Sequence, residues 1–191
     1  INQHTRRPPQ HSFVSCAMSA AEGHWWSGND LDRSYGNRKD PAFLDTALGS
    51  EDAIFMALAE ANVLCTNAHS NAQYPRIFWL KKAELYDAMR EDAVITAPFL
   101  DSWHCAANAG VILVLLGTKN VNGRATHHFA VDVPGKFKID GGTWLSGRDL
   151  LTVRVGFGRP DVAIAGQALA LIGWHKDNKF FGSDGSRSIP I

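Results

Sequence analysis

An α+β fold is the class this sequence predicts, on three observations. Before about residue 110 apolar residues recur at helical spacing, and after it they alternate or run together as strands do. The chain has 191 residues, 45% hydrophobic and 20% charged, which is enough for one buried core. The expected architecture is a single domain over 1–191. It has a mainly helical lobe over 10–109, an antiparallel β lobe over 110–191, and a cleft between them.

The elements follow in order. The opening "INQHTRRPPQ" is polar and carries Pro8-Pro9, so it reads as an extended lead-in. "CAMSAAE" (16–22) is good helix material, stopped by Gly23. The turn-rich stretch 24–40 around Trp25-Trp26 reads as a long loop. Asp40 caps a short helix that starts at Pro41 and runs to Leu48. Ser50 caps a second over "EDAIFMALAEANV", in which Ile54, Ala57, Leu58 and Ala61 share one face. "RIFWL" (76–80) reads as a short strand, and "KKAELYDAMRED" as an amphipathic helix with Leu85, Ala88 and Met89 inward. "VILVLLG" reads as a buried strand. "HHFAVDV" and "KFKID" read as a hairpin turning at Pro134-Gly135. "LLTVRVGF" alternates like a strand, while "VAIAGQALALIGW" fits helix and strand equally.

Several function classes are excluded. Net charge is zero, with 19 basic and 19 acidic residues, so no overall field draws nucleic acid or an anionic membrane. The run 110–117 is far too short for membrane insertion. The histidines form no HExxH or other compact metal motif, no phosphate-loop or dinucleotide glycine pattern occurs, and neither a metal nor an organic cofactor is expected. Three cysteines at 16, 65 and 105 make no disulfide framework and fit a reducing compartment. The Met-less start, without a signal-peptide core, is expected of a piece trimmed or released from a longer precursor. Oligomeric state is not readable from the sequence.

One constellation carries chemistry. A thiol nucleophile needs a helix N-terminus to favour its thiolate, an imidazole to take its proton, a group to orient that imidazole, and donors for the oxyanion. Cys16 opens a predicted helix. His127 or His128 begins one strand of the predicted hairpin and Asp140 ends the other, so a tight turn brings them together. Gln10, six residues before Cys16, supplies a side-chain amide beside the Cys16 N–H. By strand parity His127 shares a face with Phe129, Val131 and Val133, and His128 the opposite face with Ala130 and Asp132.

The order Gln10, Cys16, helix, His on a strand, then Asp140 resembles the papain-like cysteine proteases, and "SCAMSA" (15–20) is similar to their nucleophile helix start. "HHFAVDVPGKFKIDGGTWLS" resembles the same region of viral leader proteases, Josephin-type deubiquitinases and papain-fold effectors. Ala17 stands where the cathepsins carry Trp, which separates this chain from them. The resemblance implies a two-lobed fold and a thiol-dependent hydrolase, a cysteine protease able to process its own precursor, acting on a protein or peptide with no cofactor. In it Cys16 is nucleophile, His127 base, Asp140 orienting group and Gln10 oxyanion donor. Trp25, Trp26, Trp144 and His128 would line the substrate. A deamidase, amidase or isopeptidase using the same residues, and a non-catalytic domain that keeps the fold, are the alternatives. A host cytosol, reached by a secreted effector or viral product, is the compartment it implies.

Overall fold

The computed structural model describes residues 28–34, 36–66, 75–91, 100–102, 105–106, 109, 111–152 and 159–180. The expected helix at 16–22 and the candidates Gln10, Cys16, Trp25 and Trp26 lie outside the described residues.

Helix α1 spans Pro41–Gly49 as predicted, with Pro at its start and the Asp40 side chain accepting the Ala42 N–H at 3.0 Å. Its inner face buries Leu44, Ala47 and Leu48. The expected helix after Ser50 is instead a hairpin: β1 (Ala53–Ala59) and β2 (Asn62–Thr66) pair antiparallel, with Leu58 opposite Val63. Glu60 and Ala61 make the turn, both at positive φ (51° and 60°), the signature of a two-residue primed turn. The helical spacing misleads because β1 is buried on both faces, so its residues are apolar whichever way they point.

Ile77 bridges to Cys65, and β3 (Trp79–Leu80) pairs with β1, in agreement with the strand expected at 76–80. Helix α2 (Lys82–Glu91) buries Leu85, Ala88 and Met89 as its pattern requires. Strands β4 (Ile112–Val121) and β5 (Arg124–Asp132) form an antiparallel hairpin around Asn122-Gly123, where φ is 52° and 81°.

The hairpin expected at Pro134-Gly135 does not form. Residues 133–139 are an irregular connection whose apolar residues pack rather than pair, Phe137 fully into the core and Ile139 against it. The chain re-enters the sheet only at β6 (Gly142–Ser146), which pairs with β2. The expected strand from Leu150 is, as far as Thr152, a short helix α3 (Gly147–Thr152). Ser146 caps it, its hydroxyl accepting the Asp149 N–H at 3.1 Å. The ambiguous Ala-rich segment is helix α4 (Arg159–Asp177).

The strands form one mixed sheet in the order β4-β5-β1-β2-β6, with β3 on β1 and with β1 parallel to β5. An α+β fold is therefore present. The division into a helical lobe and a β lobe is not, because β1, β2 and β3 come from the first half of the chain and α3 and α4 from the second. Helices α1 and α2 cover one face, closing a core with Phe55, Leu64, Leu115, Phe129 and Val131. Helices α3 and α4 cover the other, over Met56, Leu58, Val63, Val114 and Leu116. Phe55 and Phe129, opposite each other on the parallel pair and both fully buried, stack at 5.5 Å. Truncating either removes about 3–5 kcal/mol, the usual cost of emptying a core aromatic site.

Candidate functional site

The hairpin β4–β5 places the two histidines. Thr118 pairs with His127 and Gly117 with His128, so the adjacent imidazoles leave opposite faces of the sheet, as strand parity requires. The Asn122-Gly123 turn sets this register, and a bulge between Leu115 and Gly117 shifts only the pairs beyond it.

His128 is on the α3/α4 face, buried, and its ring meets Trp79 edge-to-face at 4.9 Å. Its Nδ1–H donates to the Thr126 carbonyl at 3.2 Å. Burial is the main reason its proton affinity falls, to a pKa of about 4, so it is neutral at physiological pH. A neutral, hydrogen-bonded, packed histidine of this kind has no exposed edge to offer a substrate.

His127 is on the α1/α2 face at the point where β1 and β5 begin to run parallel, opposite Ala53. It is half-buried. Its Nδ1 lies 3.1 Å from Thr118 Oγ1, and Phe43 of α1 meets its ring edge-on at 6.0 Å. Desolvation holds its pKa below the usual 6.5, against the opposing pull of the Asp52 carboxylate in the turn before β1. Thr118 and Asp52 were not among the residues singled out by sequence, although the Asn-Gly turn at 122–123 dictates that Thr118 faces His127.

Asp140 does not reach His127. It is exposed in the turn before β6, where with Glu84, Asp87 and Lys138 it lines an open groove of about 590 Å³ beside α2. Strands β1 and β2 lie between β5 and β6, and three inter-strand steps are on the order of 14 Å. That is far outside hydrogen-bond reach, so the predicted His–Asp pair is not assembled. Trp144 is occupied structurally: its indole N–H donates to the Phe137 carbonyl at 2.9 Å and its ring packs against Phe137 at 5.3 Å.

The two described cysteines differ. Cys65 is fully buried on β2, and desolvation, helped by nearby Asp161, pushes its thiol up to about 12, which removes it as a nucleophile. Cys105 is partly exposed and receives the Ser102 hydroxyl at 3.2 Å. Asp161 itself, in the first turn of α4, accepts Arg76 at 2.5 Å and pins α4 to the strand segment before β3. Among the described residues no group of three or more His, Cys, Asp or Glu side chains is placed to hold a metal ion. Nor, among them, is any helix long and apolar enough to cross a membrane.

No family model matches the chain, and no curated protein does. Among solved structures, it is similar to a hydrolase of the NUDIX family from Clostridium perfringens, at 11% identity and a TM-score of 0.41, over 63% of this chain and 95% of that one. It is also similar to the E. coli ORF135 protein, at 13% identity and a TM-score of 0.31, over 65% of this chain and 94% of that one. At these scores the likenesses carry no argument about activity, and the sheet itself makes the correction. The resemblance needed His127 and Asp140 on paired strands, and the observed order separates them by two others. The papain-like assignment, the Cys-His-Asp triad and the thiol-protease function are withdrawn, as are the deamidase, isopeptidase and binding-domain variants built on them.

Proposed function

We propose that the chain is a hydrolase in which His127 acts as general base on water, without a thiol intermediate. The observation that carries this reading is the state of that imidazole. It is half-buried and biased to its neutral form, with one nitrogen tied to Thr118 and with no described hydrogen bond on the other. An imidazole that desolvation biases to its neutral form is suited to taking a proton from water. In the step proposed, Nε2 accepts a water proton as the oxygen forms its bond to the electrophilic centre. The imidazolium then returns that proton to the leaving group as its bond breaks. Asp52, close enough to favour the charged ring, stabilises the imidazolium between the two transfers.

The test is turnover of the full chain against four substrate classes: carboxylic ester, peptide amide, phosphate ester and phosphoanhydride. It is run in ¹⁸O-water so that incorporation reports the attacking oxygen. His127→Gln is expected to lower kcat by roughly 10²–10⁴-fold, the usual contribution of a general base. No turnover in any class, or an unchanged rate in the variant, refutes the reading.

A further inference from the structure

We infer that Thr118 is the positioning residue that selects the tautomer of His127, and that the segment 29–34 holds Thr118 in place for this. The inference rests on the reading of His127 as a base. It starts from a chemical requirement: for Nε2 to accept a proton, the ring proton must sit on Nδ1. Thr118 Oγ1 lies 3.1 Å from Nδ1 on the directly opposite residue of the neighbouring strand, within reach to accept that proton, and acceptance by this hydroxyl is the role inferred for it. Phe43 and Asp52 flank the ring from α1 and from the turn before β1. Of these, only the Asp52 carboxylate is charged.

Thr118 is unusually constrained for a residue of an outer strand. Its backbone exchanges two hydrogen bonds with Asp32, Thr118 N–H to the Asp32 carbonyl at 2.7 Å and Asp32 N–H to the Thr118 carbonyl at 2.9 Å. Segment 29–34 is tied down on either side of that bridge. Asn29 bonds Gln167 of α4, Asp30 pairs with Lys119, and Leu31 is buried against the α3/α4 face. The close approach depends on Gly117, where a Cβ would fall 2.6 Å from the Asp32 carbonyl oxygen and 2.8 Å from Leu31 Cβ. The glycine admits the segment, the segment fixes Thr118, and Thr118 fixes the imidazole on the other face of the sheet. The segment thereby becomes a control on the base: displacing it releases the tautomer.

The experiment is long-range ¹H–¹⁵N correlation NMR of the ring nitrogens in the full chain, which reads the protonated nitrogen directly and needs no substrate. The wild type is expected to carry the His127 proton on Nδ1. Thr118→Val, nearly isosteric, is expected to reverse the major tautomer to Nε2–H, and Thr118→Ser to retain the wild-type state. Gly117→Ala is expected to act like Thr118→Val by expelling segment 29–34. A wild-type Nε2–H tautomer, or the same tautomer in wild type and Thr118→Val, overturns the role of Thr118. An unchanged tautomer in Gly117→Ala overturns the role of the segment. Loss of the hydrolase reading itself shows separately, as an unaltered rate in His127→Gln.

Discussion

The turn between β1 and β2 gives a prediction whose sign separates two folds. Ala61 sits at φ 60° with an exposed side chain, so Ala61→Gly changes the backbone and almost nothing else. An L-residue in the left-handed region costs roughly 1–2 kcal/mol, and glycine removes that cost. Against it stands the greater freedom of glycine in the unfolded chain, about 0.4–1 kcal/mol. The balance is a stabilisation of about 0.5–1 kcal/mol, or about 2 °C in Tm for a chain of this length. Had residues 51–63 formed the helix that their apolar spacing matches, the same substitution would destabilise by about 1 kcal/mol, since glycine is that much poorer than alanine inside a helix.

The assay is urea unfolding followed by tryptophan fluorescence, with the midpoint compared at constant m so that a change in the unfolded state is not mistaken for stability. The control is Gly123→Ala in the β4–β5 turn. There φ is 81°, a Cβ meets no atom within 4 Å, and only conformational strain of about 1–2 kcal/mol is added. A stabilising Ala61→Gly with a destabilising Gly123→Ala establishes both hairpins. A loss of about 1 kcal/mol on Ala61→Gly refutes the β1–β2 turn and the sheet order built on it.

Two further predictions concern buried titratable groups. The folded pKa of His128, about 4, lies below the 6.5 of an unperturbed histidine, so below pH 6.5 the unfolded chain binds the extra proton. Its contribution is complete above pH 6.5 and is lost as pH falls towards 4. About 2.5 pKa steps correspond to about 3 kcal/mol of slope between those limits, and His128→Gln should flatten a plot of unfolding free energy over that window. A variant that keeps the wild-type slope places the titration elsewhere. The Cys65 thiol, buried with a pKa of about 12, should resist iodoacetamide at pH 8 until the protein unfolds, so its alkylation rate should rise with urea in step with global unfolding. Fast native-state labelling would show that β2 is not central.

Much of the outer architecture was legible because each signal had one physical meaning. Asp40 before Pro41 starts a helix in almost any setting, and the inward Leu85, Ala88 and Met89 of α2 leave a polar outer face that a strand would not. The centre of the sheet was not legible for the opposite reason. A strand with neighbours on both sides and helices on both faces has no polar face, so Ala53–Ala59 satisfies a helical template as readily as a strand one. Its turn, Glu60-Ala61, contains none of the residues that announce a primed turn. At Pro134-Gly135 the ambiguity runs the other way. A true bend carries the sequence pattern of a hairpin because Phe137 and Ile139 alternate with lysines, and their alternation reflects packing into the core rather than pairing with β5.

The candidate site failed at that same point. Cys16, His127, Asp140 and Gln10 form a persuasive set only if two of them meet across a hairpin, and order along the chain does not establish adjacency in a sheet. A turn that does fix register was present nearby. Asn122-Gly123 closes a two-residue hairpin, and counting outward from it pairs Val121 with Arg124, Asn120 with Ala125, Lys119 with Thr126 and Thr118 with His127. That count assigns His127 a hydroxyl partner four positions from the turn and leaves Asp140 without a claim on it. The bulge at Gly117 comes later in the count, so it does not disturb the Thr118–His127 pair, though it shifts every pair beyond. The chemistry readable from this sequence was therefore a threonine–imidazole pair specified by a local turn. The acid–imidazole pair needed a long-range strand order that no short motif encodes.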